Sequence, residues 1–102
     1  MKNFINLCPH EIKLNDGRLF PPSGVVARVA SSHSEFDSDG VCSTVFGEIL
    51  GLPETHPETI YIVSALVAGR AGRADVVSPA TGHPAAKREN GQVVSVPGFV
   101  RG

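Results

Sequence analysis

Cys8-Pro9-His10 puts a thiol and an imidazole two residues apart, and in a strand that spacing places both on one face. Such a pair can ligate a metal or work as a nucleophile and base. Nothing else in the sequence completes either device. His33, His56 and His83 are scattered through loop-like segments, and there is no Cys-x-x-Cys or His-Glu-x-x-His spacing. No base-orienting group or oxyanion hole accompanies Cys8. The expectation is therefore no metal, no cofactor and no enzymatic activity. His10 then either braces the first hairpin by a hydrogen bond or contacts a ligand. Gly69-Arg-Ala-Gly-Arg73 resembles a dinucleotide signature only in its glycines, because it lies at the end of a predicted helix, whereas the fingerprint must open one.

A second constellation lies in DVVSPATGHPAAKRENGQVV, residues 75–94. Ser78, Thr81 and an upstream Ser64 offer hydroxyls, Gly82 permits close backbone approach, and Lys87 and Arg88 add positive charge. If the strands before Ser64 and Ser78 are parallel, their carboxyl ends share one edge, where open α/β sheets bind ligands. Phosphate or carboxylate suits such an edge. The candidate binding residues are thus His10, Ser64, Ser78, Thr81, Gly82, Lys87 and Arg88. The alternative is that Ser64 only caps a helix and the Pro/Thr/Gly loop only turns.

The elements that would position these groups can be read from turn signals. Eleven Gly and eight Pro divide the chain into short apolar runs. EIKL, Asn15-Asp16-Gly17 and RLF predict a hairpin with Gly17 at positive φ. Val25, Ala27 and Val29 are expected to face inward, with Arg28 pointing away. VCSTVFGEILGL predicts a long strand kinked or bulged at Gly47, in which Arg28 and Glu48 are candidates for a cross-strand pair. PETHPET reads as a surface loop. IYIV reads as a strand ending at Ser64, an N-cap for ALVAGRAGR, with Gly72 as the C′ residue. DVVSP is the next strand. Asn90-Gly91 predicts a two-residue type I′ hairpin, Pro97-Gly98 ends the strand after it, and Phe99 is expected to pack. The expected fold is a single domain, 1–102, of α+β class: a small, mostly β domain, a bent mixed sheet or partly open barrel, with one short helix at about 64–72.

Composition narrows the function further. The chain has 102 residues, a formal net charge of −1 and 19% charged residues, so no basic surplus exists for general nucleic-acid binding. No apolar stretch approaches the length of a membrane span, and MKNFINLCPH lacks the apolar run of a signal peptide. A cytoplasmic chain is expected, with Cys8 and Cys42 as reduced thiols.

Taken in order, NLCPH (6–10), PPSG (21–24), ARV (27–29), GEILGLP (47–53), YIVSALVA (61–68), DVVSPATG (75–82) and GFVR (98–101) resemble a family of small bacterial and phage-borne proteins of unassigned activity. Its members typically carry Asn-Leu-Thr-Pro-His, then Tyr-Ile-Val-Ser, then an Asp-Thr-Gly loop. This chain departs from that pattern at Cys8, where Thr is usual, and at Ala80, where an acidic residue is usual. The second departure removes a carboxylate and counts against a metal or general-base role for the loop. With the small size and thin catalytic inventory, the resemblance implies a non-catalytic protein of phage or mobile DNA that counters a host defence system. Its partner would be a host defence protein or a phosphate-bearing small molecule, and self-association into a homo-oligomer is compatible. The alternatives are a small Cys/His-dependent enzyme and a structural or accessory phage module. Proximity separates the first two: an enzyme needs His10 close to the 78–82 loop, whereas a docking inhibitor needs an exposed apolar patch and no deep pocket.

Overall fold

The computed structural model describes residues 2–102. Its elements in chain order are β1 (Asn3–Asn6), β2 (Ile12–Lys13), β3 (Leu19–Phe20), β4 (Arg28–His33), β5 (Thr44–Leu50), β6 (Thr59–Ile62), α1 (Ala65–Ala71), β7 (Val76–Pro79), β8 (Lys87–Glu89), β9 (Gln92–Ser95) and β10 (Phe99–Arg101). Four strands form the central sheet in the order β1-β6-β7-β10. The pairs β1/β6 and β6/β7 are parallel and β7/β10 is antiparallel, so the sheet is mixed. It is open, and the three two-stranded pairs β2/β3, β4/β5 and β8/β9 flank it without closing a barrel. The domain is of α+β class, as expected.

The core follows from strand alternation. Tyr61 and Val63 point to one face with Val76, where Val67 and Ala68 of α1, Leu7 and Ala27 cover them. Ile62 and Val77 point to the other face and meet Cys8, Ile12, Leu14 and Val96. Both faces of β6 and β7 are therefore covered, which is why those strands read as unbroken apolar runs instead of alternating ones.

Local chemistry sets the connections. Ser64, at φ −66° and ψ 159°, caps α1 by accepting the Val67 N–H on its side chain, and Gly72 ends the helix in the left-handed region at φ 60°. Asn90 and Gly91 both have positive φ, 52° and 79°, as a type I′ turn requires. In the β4/β5 ladder, Val29 faces Ile49 while Ser31 faces Phe46, so β5 carries one extra residue at Gly47-Glu48 and bulges where expected.

Four expectations need correction. Val25 is 51% exposed, because the segment before Arg28 is not yet a strand and no alternation operates there. β5 begins at Thr44, not Val41. Arg28 and Glu48 form no ion pair: the register sets Arg28 opposite Leu50, and Glu48 falls in the bulge. Residues 8–10 are a bend outside β1, so the same-face spacing of a strand does not apply to Cys8 and His10.

Arg73 fastens the loop before β6. It donates to Asp75 through two nitrogens, at 2.9 and 2.6 Å, and to the Pro53 carbonyl at 2.9 Å. The Tyr61 hydroxyl donates to the Glu54 carbonyl at 3.1 Å, so this buried ring keeps its polar tip satisfied. The hydrogen bonds from Arg73 hold the Asp75 carboxyl below its usual range. A carboxylate depressed in the folded state stabilises above its unfolded pKa, about 3.9, and that stabilisation is lost as pH falls through the folded value. Asp75→Asn should therefore be less stable than the parent at neutral pH, and the gap should close in acid. Urea midpoints followed by circular dichroism from pH 7 down to pH 2 check this.

Candidate functional site at the carboxyl edge of the parallel strands

Because β1, β6 and β7 are parallel, the segments that leave them emerge on one edge: Leu7 to His10, Val63 to Ala65, and Ala80 onward. A cavity of about 200 Å³ opens there, lined by Cys8, Pro9, His10, Ala27, Ser64, Ala65, Pro79 and Thr81 among others. A second, of about 120 Å³, shares His10, Pro79 and Thr81 and is completed by Glu11, Ile12, Lys13 and residues 93–96 of β9 and its end. His10 and Thr81 stand on the wall between them. Each is small beside the several hundred Å³ of a typical ligand pocket, so the edge is a divided shallow groove that fits part of a ligand.

Of the residues singled out in the sequence, His10, Ser64 and Thr81 come together on this groove. Ser78 is buried at 6% exposure inside β7 and lines neither cavity. Gly82 stands in the open, with nothing within 4 Å of where a Cβ would be. Arg88 is tied to the groove's rim, its guanidinium donating to the Thr81 carbonyl at 2.9 Å, while Lys87 is exposed on β8. The loop's backbone donors are largely consumed. Ala80 N–H donates to Gly98, Thr81 N–H to Pro79 and His83 N–H to Ala80. Recognition here must therefore come from side chains, with Lys13 lining the second cavity and Arg88 held at the rim as the positive charges beside it.

Cys8 is buried at 4% exposure, with its Sγ 3.9 Å from the Ile62 carbonyl oxygen that accepts from it. Burial pushes the Cys8 thiol above its ordinary value, which keeps it protonated and a weak nucleophile at neutral pH. Among the described residues, the His10 imidazole has no side-chain hydrogen-bond partner to orient it.

The groove's foundation is a residue that sequence reading passed over. Asn6, 3% exposed at the end of β1, donates from Nδ2 to the carbonyls of His10 at 3.0 Å and Phe20 at 2.9 Å, and its Oδ1 accepts the Cys8 N–H at 2.8 Å. It ties the bend carrying His10 to β1 and to β3. The position of Asn6 two residues before a Cys-Pro is the one available signal, since Asn closes such turns on its own backbone.

No family model, curated protein or solved structure matches this chain.

Proposed function

We propose that this chain is a non-catalytic binding protein of phage or mobile-element origin that counters a host defence system by sequestering a phosphate-bearing, nucleotide-like signal. The observation that carries the binding reading is the convergence of His10, Ser64 and Thr81, from three separate segments, on one groove with Lys13 and Arg88 at its margins. The apolar walls, Pro9, Ile12, Pro79 and Val93, suit a base or sugar, and the cations suit a phosphate beside it. The phage and anti-defence context comes from the sequence resemblance alone.

A second reading, a small enzyme using His10 with the Thr81 hydroxyl, is favoured by one specific fact: both line the same cavity. Against it stand the protonated, buried Cys8 and the unoriented imidazole.

Calorimetric titration with a panel of linear and cyclic nucleotides, with inorganic phosphate and free nucleosides as controls, tests both readings. A nucleotide should bind and be recovered intact. Thr81→Val and His10→Ala should each weaken it about tenfold, the loss of roughly one hydrogen bond, while Cys8→Ser leaves it unchanged. Consumption of the nucleotide would replace this reading by the enzymatic one, and indifference to the whole panel would remove it.

A further inference from the structure

The β4/β5 hairpin stands off the body of the domain. Its base is packed, with Val29 and Ile49 against the core beside α1, but every residue from Ser31 to Val41 and from Ser43 to Glu48 is exposed. The radius of gyration is 15.7 Å, against about 13 Å for a compact chain of this length. A two-stranded ribbon without cover is marginal in water, yet this one carries Phe36 at 72% exposure, Val41 at 59% and Val45 at 52%. On the face bearing Val45, a shallow hollow of about 180 Å³ opens at the bulge between Ala30, Ser32 and Gly47.

Charge indicates what covers the ribbon. Residues 29–50, which form the arm, contain four Asp and Glu and no Lys or Arg, a net of −4, whereas the remaining residues hold nine basic and six acidic side chains, a net of +3. Two arms laid against each other would repel. An arm laid on the body of another copy meets the opposite sign. Lys87 and Arg88 are an adjacent exposed pair on β8 with no ion-pair partner among the described residues, and β9 beside them exposes Val94.

We propose that two copies of the chain associate about a two-fold axis, each arm resting on the β8/β9 face of the other. Glu35 and Asp39 meet Lys87 and Arg88, and the apolar residues of the arm are covered. A two-fold arrangement makes this contact twice, so both complementary patches of both copies are satisfied and the assembly closes. The receiving face shares Arg88 and Val94 with the margin of the groove, but no arm residue lines it, so the arm reversals test the association without altering the proposed ligand site.

Sedimentation equilibrium of the full chain, at low and high salt, tests the association. The parent should be a dimer at micromolar concentration and shift toward monomer in 0.5 M salt, as a charge-steered interface requires. Glu35→Lys with Asp39→Lys should dissociate it at least tenfold more readily, as should Lys87→Glu with Arg88→Glu. Asp37 is left intact because it closes the tip turn. The decisive sample combines both pairs of reversals: reciprocal contact predicts that the dimer returns. Circular dichroism confirms that each variant folds, and nucleotide titration of the arm variant should match the parent if the groove binds as proposed. A parent that stays monomeric, a dimer indifferent to either reversal, or failure of the combined variant to recover each overturns the proposal. So does a monomer that binds only a basic protein of another kind.

Discussion

Asn6→Ala should cost about 3–5 kcal/mol of stability, read as a fall in the urea midpoint at constant slope. The substitution strands the His10 and Phe20 carbonyls and the Cys8 N–H together. The buried Cys8 N–H left without a partner costs about 1–3 kcal/mol, and each of the two part-buried carbonyls loses a hydrogen bond worth about 0.5–1.5 kcal/mol. Against a total of about 5–15 kcal/mol for a domain of this size, the loss is severe. Asn6→Asp separates hydrogen bonding from shape. It keeps the acceptor for Cys8 but presents an oxygen where two carbonyls need a donor, so it should be no better than Ala at neutral pH. A loss below about 1 kcal/mol for both variants would show that water takes over the role of the Asn6 amide.

Gly51→Ala should be the most damaging glycine substitution on β5 and its turn, at about 2–4 kcal/mol. Gly51 has φ 81°, and a Cβ there would stand 2.5 Å from the Val26 carbonyl oxygen. The left-handed conformation costs a non-glycine residue about 1–2 kcal/mol, and the backbone contact adds a displacement of the segment that carries the buried Ala27. Gly47→Ala is the control. Its added Cβ meets Ala30 at the ordinary distance of 3.5 Å, so the expected loss is under about 1 kcal/mol. Thermal melts of the two variants should differ by several degrees, with Gly51→Ala lower. Equal melting temperatures would mean that the turn at Gly51 reshapes without strain.

These two glycines show what the sequence made legible. Gly47 interrupts an apolar strand pattern, and that local irregularity announces a bulge. Gly51 sits two residues before Pro53 in what reads as an ordinary strand end, and its constraint comes from Val26, which no local pattern reveals. The same division runs through the molecule. The Ser64 and Gly72 caps and the Asn90-Gly91 turn depend on neighbours within a few residues, and each stands where its chemistry puts it. Asn15, read only as a turn residue, also donates to Ala85 and accepts from the Ser95 hydroxyl, tying the first hairpin to the last. β10 was hidden for a related reason: three residues, Phe99 to Arg101, become a strand only because β7 offers an antiparallel edge. At the groove, His10, Ser64 and Thr81 could be named singly from residue type. Their meeting rests on the parallel pairing of β1, β6 and β7, which pattern alone left open.

That pairing also governs how the chain can assemble during synthesis. Among the described residues β1 pairs in the central sheet with β6 alone, Asn3 opposite Thr59, so β1 emerges from the ribosome and waits for more than fifty further residues before it can be seated. The β6-α1-β7 unit, by contrast, closes within twenty-one residues, Thr59 to Pro79, and is the compact seed on which folding can start. β1 docks late, carrying Asn6 and the His10 bend with it. Until then the unpaired edge of β6 and the standing β4/β5 ribbon are both open to other nascent chains, and the interval between translation of Ile62 and the docking of β1 is when this protein is most exposed to misassembly.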